Sequence, residues 1–319
     1  MPLALDHPSP SGVLTHWTPQ PVAIVLVVVL GLAYAYGVRG LGRPWPRGRS
    51  VTFAVGLALL LWGSCGFPQV YADSVFWVWT SQTLGLWLLV PIVVLSGHPV
   101  QLARLRVGRD SRLERALRSR PVRVVSNPLV GPALVPLLSF AFFFGPVPGW
   151  AIASAPVGWV FQLLLLAIGA AMVLPLVGLD DDVSSLAVGL SLVVGSFELV
   201  IDALPGIVLR LSTHVSTSWF DHATVHPWTK PHLADQQLAG GILWCIAELI
   251  DLPFLYLVFR RWLRADARDA ARVDAVLEAE RISRGPAPVA EGDVAPVVER
   301  DAPWWLSDPQ MQRRLNRRD

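Results

Sequence analysis

The chain carries little charge for its length. Charged residues make up 16% of its 319 residues, against 53% hydrophobic residues, and the mean hydropathy is +0.49. Soluble globular proteins have about 25% charged residues. The composition therefore excludes an ordinary water-soluble domain and predicts a polytopic membrane protein.

Sequence features of soluble enzymes are also missing. The chain has no Cys-x-x-Cys pair, no glycine-rich phosphate loop and no nucleophile elbow. We therefore predict a non-enzymatic protein. The two cysteines, Cys65 and Cys245, could supply a thiolate pair for Cu(I). The alternative, which we favour, is that they are small core-filling residues.

Seven apolar runs approach the roughly 20 residues that a helix needs to cross about 30 Å of hydrocarbon. No Lys or Arg lies in any of them. The predicted fold class is therefore all-α, a bundle of seven transmembrane helices. In chain order, spans 1 to 7 are Pro21–Val38, Val51–Phe67, Val75–Ser96, Leu129–Trp150, Val157–Val177, Ser184–Leu209 and Leu238–Phe259.

The distribution of positive charge predicts the orientation. Of the 26 Lys and Arg residues, 24 lie between spans 1 and 2, between spans 3 and 4, or after span 7. Positive loops stay cytoplasmic, so we expect the N-terminus outside and the C-terminus inside. The cytoplasmic arginines are expected to contact anionic lipid headgroups, and the net charge of +2 predicts no nucleic-acid partner.

Four regions follow from this topology. Residues 1–20 form an extracytoplasmic segment, which lacks the basic region and long apolar core of a cleaved signal. Residues 21–260 form the membrane domain. Arg and acidic residues at helical spacing predict a cytoplasmic helical extension over residues 261–284. Residues 285–319 are predicted to be disordered.

Acidic residues at membrane depth form the first candidate site. Glu198 and Asp202 lie four residues apart in span 6 and share one helix face, and Glu248 of span 7 lies at a similar depth to Glu198. An ionised acid there is costly unless it is paired, hydrated or protonated. We expect the three acids to face the bundle interior. They either hold a cation or proton, or serve as protonated structural groups.

Two histidines form the second candidate site. His222 and His226 are four residues apart in Asp221-His222-Ala-Thr-Val-His226, a spacing that on a helix can hold one transition metal. Pro227 follows them and favours a loop instead. The alternative is that both are ordinary surface histidines.

A polar-to-apolar stretch near span 7 carries a family resemblance. The residues from Asp235 to Glu248 resemble the D-Q-Q-x-x-G-G-x-x-W-x-x-x-E pattern in the last transmembrane helix of the CtaG-type cytochrome c oxidase assembly factors. Residues 45–49, Trp-Pro-Arg-Gly-Arg, are similar to the W-P-x-x-R motif of that family. The matching signature residues are Asp235, Gln236, Gln237, Gly240, Gly241, Trp244 and Glu248, with further matches at Gln82, Pro91, Gly97, Pro99, Gly178 and Asp180.

The chain departs from that family where copper ligands are expected. The family usually has H-M-x-Q-H in span 3, whereas Trp79 and Thr83 occupy the two histidine positions here. Asp202 replaces the imidazole of the H-x-x-x-G motif that ends at Gly206. The resemblance implies a role in oxidase assembly, with oxidase subunits as partners. It also implies copper as a cofactor with membrane histidines as its ligands. This chain has no histidine in spans 3, 5, 6 or 7, so we expect any copper to be held transiently by Asp202 and the outer histidines His222 and His226.

Two other functions stay open. The chain could be a divergent paralogue that acts as a copper-independent membrane scaffold. It could also be an ion or proton transporter that uses Glu198, Asp202 and Glu248. All three functions place it in a bacterial plasma membrane. A single polar pocket at the outer ends of spans 3, 5 and 6 would help to separate them.

Overall fold

A computed structural model describes residues 5–9, 11–107, 115, 119–120, 124, 130–174, 201 and 203–284. All regular secondary structure in these ranges is helical, which confirms the predicted all-α class. Several predictions lie outside the described residues: those on Gly178, Asp180, Glu198, Asp202 and residues 285–319.

The described residues form helices, a π-helical segment and a 3-10 turn. In chain order they are α1 Gly12–Thr15, α2 Pro21–Arg39, α3 Arg47–Cys65, α4 Phe67–Tyr71, α5 Phe76–Leu84, a π-helical segment Gly85–Leu89, α6 Val90–Ser96, α7 Pro99–Val107, α8 Val130–Phe144, α9 Val147–Ala153, α10 Ala155–Val173, α11 at residues 203–211, the 3-10 turn Ser218–Asp221 and α12 His232–Arg284.

Four helical stretches of the described chain are long and apolar enough to cross a bilayer. They correspond to predicted spans 1, 2, 3 and 5. Predicted span 4 corresponds to a pair of helices bent by 54°. Pro146 lies at the bend, where it cannot continue the helical hydrogen bonding. The four stretches are Pro21–Arg39, Arg47–Tyr71, Phe76–Ser96 and Ala155–Val173.

The seven-span count and the orientation of the termini stay predictions. Most of span 6, residues 184–200, lies outside the described residues. Span 7 lies within α12. That helix begins at His232 with polar residues, continues through the apolar residues 238–259 and ends in charged residues.

Predicted span 3 lies at the centre of the packing. In the apolar stretch of Phe76–Ser96, 61% is buried inside the protein, whereas in that of Pro21–Arg39 only 17% is buried. Trp87 of the π-helical segment is fully buried. Gly169 of α10 packs so closely on it that an added Cβ would collide with the Trp87 carbonyl oxygen. The central span thus approaches span 5 at a local departure from α-helical geometry.

The chain divides into two compact units, Met1–Asp269 and Ala270–Asp319. The described parts of all the predicted spans belong to the first unit. The described part of the second is the last portion of α12, where residues 270–283 are exposed. There Arg281 pairs with Glu278 at 3.1 Å on the helix surface.

The first unit has two ends with different contacts. The N-terminal end is where α2, α5, α10 and α12 begin, since Gln20 contacts Trp159 and Asp235 contacts Phe76 there. The opposite end is where α2 and α6 end and α3 begins, because Tyr34 contacts both Trp45 and Gly97 there.

Candidate functional site

Asp235 joins the start of α12 to the start of α5. Its Oδ2 accepts a hydrogen bond from the Phe76 amide at 2.7 Å, and its Oδ1 accepts one from the Trp77 amide at 3.2 Å. The first amides of a helix lack partners within it, and α5 has no side-chain cap at Val75, the residue before it. Asp235 therefore caps α5 from a distant part of the sequence.

Burial sets the electrostatics of this cap. Asp235 is 5% exposed, and burial raises the pKa of its carboxyl group above the ordinary value. The hydrogen bonds from Phe76 and Trp77, and the charges of Lys230 and His232, oppose that rise in pKa. Desolvation disfavours the ionised form, while amide donors favour it.

The next two residues attach the chain that follows α11. The Gln236 side chain is fully buried; its Nε2 donates to the His214 carbonyl at 3.1 Å and its Oε1 accepts from the Ser216 amide at 2.8 Å. Gln237 Nε2 donates to the Ser212 carbonyl at 3.0 Å. We call Asp235, Gln236 and Gln237 the polar staple, since they bond to backbone groups of α5 and of residues 212–216.

Gly240 allows α11 and α12 to touch backbone to backbone. A Cβ added at Gly240 would lie 2.7 Å from the Gly206 carbonyl oxygen, and one at Gly206 would lie 2.7 Å from the Trp244 amide nitrogen. A Cβ added at Gly241 would meet only the Arg210 side chain, at 3.9 Å. The first glycine of the pair therefore provides the close approach that small residues permit between membrane helices.

Trp244 and Glu248 complete the signature on one face of α12. The Trp244 indole Nε1 donates to the Glu248 carboxylate one turn later. Glu248 is half-buried. Glu198 and Asp202, its expected partners in an intramembrane polar site, lie outside the described residues. That site stays a prediction.

The residues at the two histidine positions of span 3 are well packed. The Trp79 ring lies parallel to Phe161, with centroids 5.9 Å apart, and to Phe76, 5.8 Å apart. Phe143 meets the same ring edge-on at 5.7 Å. Trp79 and Thr83 are 3% and 2% exposed. At the first of the two histidine positions, Trp79 is thus part of an aromatic cluster.

Beside Trp79 and Thr83 lies a polar cleft of about 220 Å³ at the N-terminal end. The Gln69 Oε1 accepts hydrogen bonds from the Nε2 groups of both Gln82 and Gln162, each at 2.8 Å. We call this cleft the glutamine cleft, because four glutamines line it: Gln20, Gln69, Gln82 and Gln162. Spans 3 and 5 converge here, as the expected pocket would require. The part of span 6 before residue 201 is not described.

Sequence reasoning found only part of this cleft. It singled out Trp79, Gln82 and Thr83, but it missed Gln69 and Gln162. The available signal was a carboxamide within or beside an apolar run, where a polar side chain requires a partner. Sequence alone does not reveal that the three amides belong to one network.

The two candidate metal-binding histidines lie in a loop. His222 follows the 3-10 turn and His226 lies beyond it, so the spacing is not realised on an α-helix. His226 Nε2 is 3.2 Å from the Ser74 hydroxyl, and its ring stacks on Trp228. Within the described ranges no group of three or more His, Cys, Asp or Glu side chains could hold a metal ion. Asp202 lies outside them, so the copper hypothesis stays a prediction.

The two cysteines have different surroundings. Cys65 is buried and Cys245 is exposed, and both are free thiols. Neither belongs to a metal-binding group in the part of the chain that the structure describes.

The W-P-x-x-R motif lies at the opposite end. Trp45 Nε1 donates to the Tyr34 hydroxyl at 2.8 Å, and that hydroxyl donates to the Gly97 carbonyl at 3.0 Å. The Arg49 guanidinium lies over the Trp45 ring at 5.0 Å and donates to Gln101 Oε1 at 2.8 Å. The motif therefore links α2, α3 and the turn between α6 and α7.

Comparison with known proteins places these features in a family context. A family model described as cytochrome c oxidase caa3 assembly factor matches residues 32–265. That range includes the W-P-x-x-R motif, the glutamines of α4, α5 and α10, and the whole signature of α12.

Three mycobacterial proteins are similar to the chain. The uncharacterized proteins Mb0105 of Mycobacterium bovis and MT0111 of Mycobacterium tuberculosis are each 27% identical over 283 residues, which is 84% of this chain and 42% of theirs. The uncharacterized protein ML1998 of Mycobacterium leprae is 25% identical over 291 residues, 85% of this chain and 44% of its own. The chain thus spans less than half the length of these relatives. No solved structure matches it.

Proposed function

The chain belongs to the cytochrome c oxidase caa3 assembly factor family, and from that premise we propose that it assists the assembly of a haem-copper oxidase in a bacterial plasma membrane. The family match over residues 32–265 carries the proposal. The apolar helices support a multi-pass location, and the absence of enzyme motifs from the sequence supports a non-catalytic role. Oxidase subunits and membrane lipids are its proposed partners.

Deletion of the gene tests this function. We expect cytochrome c oxidase activity to fall in the deleted strain and to return when the chain is supplied again. Supply of the Gly241→Ala variant serves as a matched control, since that added Cβ meets only an ordinary contact. Normal oxidase activity and normal oxidase copper content, with no redundant paralogue present, would contradict the proposal.

The proposed topology has seven spans, with the N-terminus outside and the C-terminus in the cytoplasm. The predicted cytoplasmic loops and tail hold 24 of the 26 Lys and Arg residues, which supports this orientation. The test is labelling of single cysteines at Ser11 and Ser307 in a variant whose two native cysteines are replaced by serine. We expect a membrane-impermeant reagent to reach only Ser11→Cys in intact cells. Labelling of both positions from one side would refute the topology.

We propose that any copper binds weakly at the N-terminal end, through His222, His226 and Asp202. Both histidines belong to one loop there, whereas Trp79 and Thr83 are poor copper ligands. The described residues thus fit transient contact with the ion rather than a buried centre. Copper titration of the purified chain, with and without His222→Ala plus His226→Ala, checks this. Tight stoichiometric binding that survives the double change would locate the site elsewhere.

A copper-independent scaffold is the second candidate function. The packing of Trp79 between Phe76 and Phe161 favours it, because an aromatic core stands where an imidazole ligand would be expected. The two functions differ in one measurement. If the chain acts as a scaffold, deletion lowers the amount of assembled oxidase while the copper content per haem of the remaining enzyme stays normal.

A further inference from the structure

The glutamine cleft holds polar atoms that its own hydrogen bonds leave unused. Gln82 Nε2 donates both of its hydrogens, one to the Gly63 carbonyl and one to Gln69 Oε1, each at 2.8 Å. Gln162 Nε2 donates to the same Gln69 oxygen. The Gly63 carbonyl can only accept, which fixes the orientation of the Gln82 amide, and the shared hydrogen bonds then fix those of Gln69 and Gln162. Gln82 Oε1, Gln162 Oε1 and Gln69 Nε2 have no partner among the described residues.

A fourth glutamine adds a second donor. Gln20 Oε1 accepts a hydrogen bond from the Trp159 indole at 2.8 Å, so the Gln20 Nε2 is left to donate. The cleft therefore presents two unused amide oxygens and two unused amide nitrogens. Gln82 is only 6% exposed as a residue, but its Oε1 is not among the fully buried atoms that lack a partner, so this oxygen is accessible from the cleft. An occupant that both donates and accepts hydrogen bonds would satisfy this set.

The charge of the lining argues against a metal ion. Asp73 is the only charged side chain among the described residues that line the cleft, and neither histidine nor cysteine is among them. One oxygen of Asp73 already accepts a hydrogen bond from Ser74. Cu(I) prefers sulfur or imidazole ligands, and Ca²⁺ takes six to eight oxygens that commonly include several carboxylates. The polar side chains of the cleft, which are mostly uncharged amides, suit a neutral ligand.

The walls of the cleft add a preference for a small planar group. Trp79, Trp159 and Phe161 contribute aromatic surface to the lining. The volume of about 220 Å³ is below the roughly 300–1,000 Å³ of sites for drug-sized ligands. A carboxamide or peptide unit is planar and neutral, and it carries one donor side and one acceptor side.

We propose that the glutamine cleft binds a carboxamide or peptide group. The carbonyl oxygen of the bound group accepts from Gln20 Nε2 and Gln69 Nε2. A peptide N–H donates to Gln82 Oε1 or Gln162 Oε1, and the two hydrogens of a primary carboxamide donate to both. It comes either from a free small amide or from a peptide segment of a partner protein. The site and its ligand class do not depend on the role in oxidase assembly, so failure of either proposal leaves the other standing.

Calorimetric titration of the full chain in nanodiscs tests this site with two probes. One is N-acetylalanine methylamide, a blocked single residue, and the other is a blocked Gly-Ser octapeptide. We expect binding that weakens roughly tenfold in Gln162→Leu, the size of one or two lost hydrogen bonds. Gln101→Leu, a glutamine change at the opposite end, should leave the affinity unchanged. Tighter binding of the octapeptide indicates a partner segment, and equal affinity indicates a free amide.

Several results would overturn the proposal. They are the absence of heat from both probes at millimolar concentration, equal affinities in the native chain and Gln162→Leu, or binding of Cu(I), Ca²⁺ or a hexose that only the cleft variant weakens. The helical spectrum of each variant verifies folding. If Gln162→Leu does not fold, Gln162→Met serves instead, because it keeps the length of the side chain and removes both the amide oxygen and the amide nitrogen.

Discussion

The two ends of the first unit are held together by different chemistry. At the N-terminal end, Asp235 is a buried acid that accepts two backbone amides, and the cleft beside it keeps unused polar atoms. At the opposite end, Tyr34 and Trp45 form a hydrogen-bonded chain that ends on the Gly97 carbonyl. At the opposite end, hydrogen bonds only hold the helices together. At the N-terminal end they hold the helices together beside the proposed binding cleft.

The signature residues of α12 and the residues that line the cleft have different roles. The described contacts of the polar staple and of Gly240 hold helices and loops in place, and none of these residues lines the cleft. The proposed ligand contacts belong to Gln20, just before α2, and to residues of α4, α5 and α10. A chain can therefore retain the signature of α12 while the chemistry of span 3 changes, as Trp79 and Thr83 illustrate.

Removal of the Asp235 carboxylate should have the largest effect on this comparison. Asp235→Ala leaves the buried Phe76 amide and the partly buried Trp77 amide without an acceptor, and a buried unsatisfied group costs about 1–3 kcal/mol. We expect the free energy of unfolding to fall by about 2–4 kcal/mol, measured by denaturant unfolding in detergent. Asp221→Ala, an exposed acid at the same end, is the control. Equal stability of the two variants would mean that the staple is dispensable.

Gly240→Ala should be the next most damaging change. The new Cβ would press on the Gly206 carbonyl and the Arg210 amide, and overpacking of this kind costs about 1–3 kcal/mol. Gly241→Ala is a control on the adjacent residue. We expect it to be neutral or slightly stabilising, since alanine favours a helix over glycine. If Gly241→Ala destabilises the chain as much as Gly240→Ala, the close contact of α11 with α12 is assigned to the wrong glycine.

Tyr34→Phe tests the opposite end and should have a smaller effect. It removes the donor to the Gly97 carbonyl and the acceptor for Trp45 Nε1, and a typical hydrogen bond contributes about 1 kcal/mol. We expect a loss of about 1–2 kcal/mol in the free energy of unfolding. Tyr36→Phe on the same helix is the control, because Tyr36 is 71% exposed. A loss larger than that of Asp235→Ala would reverse the ranking of the two ends.

The sequence indicated some of these features and not others, for physical reasons. Hydropathy reports local composition, so it located the helices that correspond to spans 1, 2, 3 and 5. The signature pattern identified Asp235, but not its partners, since the amides of Phe76 and Trp77 leave no mark in a sequence. Gln69 and Gln162 were missed because only the packing of three helices brings them to Gln82.

The pH dependence of Asp235 should give the smallest effect, and its sign is diagnostic. Burial raises the pKa of this carboxyl group in the folded chain above its ordinary value of 3.8. As the pH rises from 3.8 through the folded pKa, the unfolded chain releases its proton first, so the stability that Asp235 contributes is fully present below pH 3.8 and declines above it.

Asp235→Asn provides the reference because asparagine does not titrate. Denaturant unfolding of both chains from pH 3 to pH 7 should show the stability of the native chain, relative to Asp235→Asn, decreasing as the pH rises. A relative stability that increases with pH would mean that the bonds from Phe76 and Trp77, together with the charge of Lys230, outweigh burial. In that case the N-terminal end would be held by an ionised cap, and the contrast with the uncharged chain of Tyr34 and Trp45 would be greater still.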